Sequence, residues 1–362
     1  MTKDELFEII IDRPDESAYK RAKKRFDSLA KPLDGFGSFE AAICKIAADQ
    51  CTDKPDISKK GLVIMIADNG VTCEGVSQTS SDVTLSVAKL MGVGKSTVGV
   101  MTEGYPVDII PVDVGINSDE KTPGVTVLKV KKGTGNISKE PAMTEEECLA
   151  AISAGMSAAD KCMERGIKIV ATGEMGIGNT TTSTALFCAL SGCEVEDVVG
   201  RGAGLSDEGL NKKTDVIKRS LTLHKLNNTT AKALEKSYVF NALKCVGGLD
   251  IAGLTGLYTR CAQLGITVVI DGFISAVAAL TAVSFNPGVK GYLLASHSGR
   301  EKGCQKVLDM LDLIPVIHGD MALGEGTGAV MLFPLLDMVM SVYNNGMSFS
   351  DTGIAQYERF DI

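Results

Sequence analysis

One carboxylate in this chain stands where the side chains around it have been stripped away. In Leu323-Gly324-Glu325-Gly326-Thr327-Gly328-Ala329, glycines at alternate positions flank Glu325 and Thr327. Glycine lets the backbone take positive φ and lets another molecule approach closely. A carboxylate presented in this way suits a general base, which must take a proton from a reacting group within hydrogen-bond reach. A plainer reading also fits: the same residues open the apolar helical run that follows, with Glu325 and Thr327 meeting its free amides and positive end. A short Gly/acid motif does not choose between the two.

Four further loops carry groups that could bind or react. Asp68-Asn69-Gly70-Val71 directly follows an apolar run. Gly173-Glu174-Met175-Gly176-Ile177-Gly178-Asn179-Thr180-Thr181-Thr182 follows another and opens a helical pattern. The free amides around Gly176 and Gly178, with the Asn179 and Thr180 side chains, make a cradle for a phosphate or other anion; alternatively Asn179 or Thr180 simply caps the helix. Thr181 stands where a third glycine would complete G-x-G-x-x-G, so dinucleotide binding is not indicated. In Gly200-Arg201-Gly202-Ala203-Gly204-Leu205-Ser206, Ser206 reads as a helix cap, and Lys212 and Lys213 either reach a phosphate or lie on a solvated face. Ser296-His297-Ser298-Gly299-Arg300-Glu301-Lys302-Gly303 supplies hydroxyls, amides and cations for the same ligand. His297 there is either catalytic or a polar residue at a helix start. Gly92-Val93-Gly94-Lys95-Ser96-Thr97 ends like an ATP-binding loop, but Lys89 occupies the place of the required first glycine.

These loops need a scaffold, and the chain supplies one by alternation. Apolar strand-like runs fall at 62–67, 107–114, 125–130, 167–172, 266–270 and 291–295. Helical patterns lie between them at 83–90, 145–164, 181–190, 231–245, 253–263, 275–283 and 301–311. Short, wholly apolar strands alternating with helices predict a doubly wound, mainly parallel α/β sheet of Rossmann-like type, covered on both faces. Ligands then bind beyond the carboxyl ends of the strands, where the glycine loops gather. Two helical stretches precede the first strand, and a nearly all-apolar helix at 330–343, carrying Pro334, is expected to pack against them. This divides the chain into a small helical domain, 1–60 plus 330–362, and an α/β ligand-binding domain, 61–329.

Composition narrows the ligand. A net charge of -8 disfavours nucleic acid and anionic membrane as partners, leaving a small molecule as the default. The first residues are acidic and lack a long apolar core, and the apolar runs are broken well short of a membrane span, so a soluble cytoplasmic protein is expected. Ten scattered cysteines without C-x-x-C and three histidines give a zinc site little to build on. No metal and no cofactor are expected.

Taken together, the loops resemble the nicotinate-nucleotide:dimethylbenzimidazole phosphoribosyltransferases. The resemblance covers most of the chain and rests on the glutamate loop, the 173–181 and 200–205 loops, Asp27-Ser28-Leu29-Ala30-Lys31-Pro32, Asp68-Asn69-Gly70-Val71, Val112-Asp113-Val114-Gly115, Glu140-Pro141-Ala142-Met143-Thr144, Cys245-Val246-Gly247-Gly248 and Val269-Ile270-Asp271-Gly272-Phe273-Ile274. It implies transfer of 5-phosphoribose from nicotinate mononucleotide to an aromatic base, with inversion, without a metal, in a homodimer. By the same resemblance Glu325 is the general base and Glu174 a second active-site carboxylate. Gly176, Gly178, Asn179, Thr180, Gly202, Lys213, Ser298 and Gly299 then contact the nucleotide. The acceptor side departs from the family: Gln78-Thr79-Ser80 follows Val76-Ser77 where an aromatic-Pro pair is common, and Leu85-Ser86 follows Val83-Thr84 where a Gln is. Ser77, Ser80, Leu85 and Ser86 are therefore the expected acceptor-base pocket, and the acceptor is a benzimidazole or, alternatively, a purine or phenol. A catalytically silent nucleotide binder is the competing reading; it would need neither Glu325 nor Glu174.

Overall fold

A computed structural model describes residues 1–227 and 235–359. Strands β1 (Lys60–Ala67), β2 (Val107–Gly115), β3 (Thr126–Val127), β4 (Ile169–Met175), β5 (Thr267–Ile270) and β6 (Leu293–Ala295) form one parallel sheet in the order β3-β2-β1-β4-β5-β6. The chain builds outward from β1 to β3, then returns to lay β4 on the other side of β1. This is the doubly wound order, with its crevice beyond the carboxyl ends of β1 and β4. Two short strands, β7 (His297–Gly299) and β8 (Ile317–Met321), pair in parallel as a separate ribbon that the sequence did not signal.

Helices fill the intervals. α1 (Lys3–Phe7), α2 (Glu16–Ser28) and α3 (Ser38–Asp49) precede the sheet; α4 (Asp82–Gly92) and α5 (Thr97–Met101) join β1 to β2; α6 (Glu145–Glu164) leads to β4. Then come α7 (Asn179–Ser191), α8 (Asp207–Leu223), α9 (Lys236–Val246) and α10 (Leu249–Gln263) before β5, with α11 (Phe273–Phe285) after it. α12 (Lys302–Leu311) links the ribbon strands, and α13 (Thr327–Asn345) and α14 (Phe349–Thr352) close the described chain. The helical pattern at 231–245 corresponds to α9 from Lys236; its first residues, to 234, lie outside the described ones.

Strand periodicity sorts the two cores. Val63, Met65 and Ala67 of β1 pack into one cluster with α6, α7, α10 and α11, while Leu62, Ile64 and Ile66 pack into the other with α2, α3 and α13. Each large apolar side chain so buried contributes about 1.5–3 kcal/mol relative to exposure. α13 has the length and apolarity of a membrane span, yet Leu332, Phe333 and Leu336 are buried against the sheet. Its far end meets α2 as expected, with Phe26 edge-on to Tyr343 at 4.8 Å between ring centroids. The run 125–130 is a strand by assignment only at Thr126–Val127, but the amides of Leu128 and Val130 still donate to Asp113 and Val114 carbonyls of β2.

Candidate active site

Where a loop was expected at 173–175, the sheet continues: β4 runs through Gly173 and Glu174, with Glu174 in register with Met65 of β1. Glu174 is thereby carried into the interior, only 8% exposed. Gly178, in the left-handed region at φ 92°, starts α7, so neither Asn179 nor Thr180 is the cap. That frees the Asn179 amide to donate to Glu174 Oε2 and, at 3.1 Å, to Asp250 Oδ2 in the first turn of α10. One buried amide thus joins two carboxylates brought from either side of α7, α8 and α9.

Burial controls the charge of this group. It pushes the Glu174 carboxyl well above the ordinary carboxylate range, helped by the negative charges of Asp250 and Asp271 and opposed by the Asn179 bond. Burial also raises Asp250 to about 6 and Asp271 to about 7. Carboxylates this close and this dry cannot all ionise without a counter-charge. Asp271, at the end of β5, spends its Oδ1 on the amide of Ala329 at 3.1 Å, which fixes the start of α13.

Just before that start lies the glutamate loop, and the space its glycines leave is filled from within the protein. A Cβ on Gly324 would lie 2.6 Å from Glu174 Oε1; one on Gly326 would lie 2.4 Å from Leu62 Cδ1; one on Gly328 would lie 2.1 Å from the His297 ring. The glycines therefore clamp the loop onto the sheet and onto Glu174, instead of only clearing a path for a ligand. Glu325 itself takes the left-handed region at φ 64°, which a side-chain-bearing residue holds only when its surroundings enforce it. Its amide donates to the Glu174 carbonyl at 3.2 Å, and its Oε2 accepts from the Val98 amide at 3.0 Å in the first turn of α5. The decoy loop at 92–97 thus leads into the amide that orients Glu325.

Glu325 and Glu174 line one cavity of about 620 Å³, together with Gly176, Asn179, Thr180, Gly202 and Gly299. Lys213 lies behind its wall, fully buried, donating to Thr180 Oγ1 at 2.8 Å and to the Gly200 carbonyl at 3.1 Å. The solvated-face reading of Lys213 is thus overturned: desolvation lowers its pKa to about 8, with the Glu301 charge opposing. Ser206 does cap α8, accepting from Gly209 at 3.1 Å. Gly178 packs beside Thr72 and Asn69, and Ser298 belongs to β7 next to the cavity residues His297 and Gly299. His297 is buried, bonded through Nδ1 to Ser296 Oγ at 2.9 Å, and burial lowers its pKa, favouring the neutral ring.

The four acceptor candidates are placed differently. Ser77, Ser80, Leu85 and Ser86 are not among the residues lining this cavity. Ser77 accepts from the Thr79 amide at 3.3 Å, Ser80 bonds Asp82 at 3.2 Å, Ser86 bonds the Asp82 carbonyl at 3.0 Å, and Leu85 packs against the sheet-face core. Two neighbours bridge the gap: Gln78 Nε2 donates to the carbonyl of Gly204 on the cavity's rim, and Thr84 Oγ1 accepts from the amide of Ile177, which lines the cavity, at 3.2 Å.

Sequence reasoning gave no role to Asp250, Asp271 or the Val98 amide. Asp271 could have been found by the rule that found Asp68, an acid directly after an apolar strand. Asp250 carries only the ordinary signal of an acid in a first helical turn.

A family model described as Phosphoribosyltransferase matches residues 11–354. A nicotinate-nucleotide–dimethylbenzimidazole phosphoribosyltransferase of Acetivibrio thermocellus is 41% identical over 337 residues, covering 93% of each chain. The same-named protein of Ruminiclostridium cellulolyticum is 41% identical over 339 residues, covering 94% of each. The crystal structure of CobT from Thermus thermophilus superimposes with a TM-score of 0.87 at 33% identity, covering 94% of this chain and 100% of that one.

Proposed function

The chain belongs to the nicotinate-nucleotide:dimethylbenzimidazole phosphoribosyltransferase family, and from that premise we propose how its own residues divide the work. The protein moves 5-phosphoribose from nicotinate mononucleotide to a benzimidazole-type base, releasing nicotinate, in the synthesis of cobamide lower ligands. Glu325 is the base. Its Oε2 is held by Val98, leaving Oε1 to take the acceptor's ring proton as the acceptor nitrogen bonds to C1'. The bond to nicotinate breaks with its electron pair returning to the pyridine nitrogen, on the face opposite the attack, so the anomeric centre inverts as in single-displacement glycosyl transfer. Glu174, backed by Asp250 and Asp271, faces the positive charge carried first by the pyridinium and then by the sugar. No step demands a metal.

The observation that carries this reading is that Glu325 and Glu174 line one cavity together with Gly176, Asn179, Thr180 and Gly202 of the proposed phosphate cradle, to which Gly178 contributes as the residue that starts α7. Ser298 and Gly299 complete the nucleotide contacts from the ribbon, and Lys213 supplies the phosphate's counter-charge through Thr180. Ser77, Ser80, Leu85 and Ser86 form the acceptor side, a placement supported by the Gln78 bond to Gly204. The helical unit of 1–60 and 330–362 is supported by the Phe26–Tyr343 contact between α2 and α13, while α1 packs through Phe7 against α9 and α11 on the other side of the sheet. The enzyme works as a cytoplasmic homodimer; support comes from ten free cysteines and from exposed Met101 and Met331 lining an apolar groove.

The test is nicotinate release from nicotinate mononucleotide by the purified protein, with and without dimethylbenzimidazole, in chelator. Acceptor-dependent release is expected. Binding of the nucleotide with no release to any benzimidazole, purine or phenol would replace the transferase with a silent binder.

A further inference from the structure

A second cavity, of about 500 Å³, lies between α2, α3, the edge strand β6 and the loop before β8. It shares no lining residue with the active-site cavity. Its walls are apolar, formed among others by Tyr19, Ala41, Ala42, Leu293, Leu313 and Val316. Of the charged residues that line it, one makes no hydrogen bond. Lys45 lines the cavity with a side chain 22% exposed, and its nearest acid oxygen, Asp49 Oδ1, is 3.8 Å from Nζ, beyond hydrogen-bond reach. Among the described residues Lys45 Nζ makes no hydrogen bond, and Asp49 Oδ1, fully buried behind it, has no hydrogen-bond partner either. Asp49 is held back by its other oxygen, which accepts from Thr267 Oγ1 at 2.6 Å. The ammonium is not among the sealed-off polar atoms, so its open side is the cavity.

A cation among apolar walls without an acceptor costs free energy that a ligand's acceptor can recover. We propose that this cavity binds an organic monocarboxylate with an apolar body, its carboxylate on the Lys45 ammonium and its hydrocarbon against α2, α3 and β6. The remaining charges select a single negative charge over a phosphate dianion. Glu16 and Asp312 stand at the cavity, each paired outward, with Lys20 at 2.7 Å and with Lys290 at 3.0 Å. A second negative charge would face these acids with no further cation among the lining residues. Burial lowers the Lys45 pKa and raises that of Asp49 to about 6, as befits a pair that is dry but not in contact.

Octanoate and its neutral counterpart 1-octanol are the probes, titrated into the full-length protein by calorimetry. Octanoate should bind saturably and at least about tenfold more tightly than octanol, as a charge-assisted hydrogen bond requires. Lys45→Met should remove that difference, and Ala41→Phe, at an exposed position of α3 that lines the cavity, should block both probes. Both variants should bind nicotinate mononucleotide as the parent does, which reports that they are folded. The proposal is overturned if octanoate does not saturate, if octanol binds equally well, if neither substitution alters octanoate affinity, or if octanoate competes with nicotinate mononucleotide.

Discussion

The nucleotide side of the active site and the acceptor segment at 77–86 are both rich in small polar residues, but they are held in opposite ways. On the nucleotide side the partners come from far along the chain: Lys213 and Thr180 are 33 residues apart, Asn179 and Asp250 71, Val98 and Glu325 227. In the acceptor segment Ser77, Ser80 and Ser86 bond residues two to four positions away, and the long-range bonds come from their neighbours, Gln78 donating to Gly204 and Thr84 Oγ1 accepting from the Ile177 amide at 3.2 Å. A group fixed by distant elements keeps its position when a neighbour changes. A group fixed by its own turn moves with it. On the proposed assignment, the chemistry of sugar and phosphate would be built into the fold, while recognition of the base would rest on a surface that can vary at little structural cost.

The sharpest way to break this contrast is at Glu325. Glu325→Gln keeps a hydrogen-bond acceptor for the Val98 amide but cannot take a proton, so turnover should fall roughly 10²–10⁴-fold with nucleotide affinity within about threefold. Nicotinate release and calorimetry on one preparation separate the two; an equal loss of both would return Glu325 to a structural role in the loop. Lys213→Met should do the reverse. Losing a buried charge-assisted contact costs roughly 1.5–3 kcal/mol, so affinity for nicotinate mononucleotide should drop about 10- to 100-fold. Nicotinate riboside, which lacks the phosphate, should lose far less; an identical loss for both would show that Lys213 only props Thr180.

These two residues also show what the sequence made legible. Glu325 was visible because its glycines are contiguous with it. Lys213 was legible in part: it lies three and four residues before Val216 and Ile217, on the face of α8 that is buried, yet a lysine pair in an acidic helix reads first as solvated. The sheet was legible because its strands are apolar throughout, but the extension of β4 through Gly173 was not. Glycine there is required by the glutamate loop, since a Cβ would lie 2.7 Å from the Glu325 carbonyl carbon. A contact between residues 173 and 325 leaves no local mark. The same holds for Asp250, an ordinary first-turn acid until α10 is laid beside α7.

A smaller effect tests the charge on the nucleotide side. Glu174, Asp250 and Asp271 all have raised pKa values, the last two to about 6 and about 7, so the empty site holds extra protons at and below those values. The pyridinium of nicotinate mononucleotide favours the ionised carboxylates and so lowers their pKa on binding. Protons are then released, and by linkage affinity should rise with pH between about 6 and 8, by at most about tenfold per unit for each proton released. Calorimetry in buffers of different ionisation enthalpy reads the release directly. Proton uptake, or affinity that falls across this range, would mean that the acids do not face the pyridinium.

The smallest expected effects lie in the acceptor segment, and there smallness is itself the point. Ser80→Ala removes one exposed hydroxyl bonded only to Asp82, so stability should change by no more than about 0.5 kcal/mol and nucleotide affinity should stay within about twofold. What should move is choice among acceptors. Specificity is a difference between two affinities, and a contact worth about 0.5–1.5 kcal/mol to one base and nothing to another shifts their ratio about two- to tenfold. Competition between dimethylbenzimidazole and a purine or phenol, read as the ratio of products, measures this without requiring either rate to be large. A ratio that stays fixed through Ser77, Ser80 and Ser86 substitutions would move acceptor recognition off this segment and onto the long-range framework that holds Glu325.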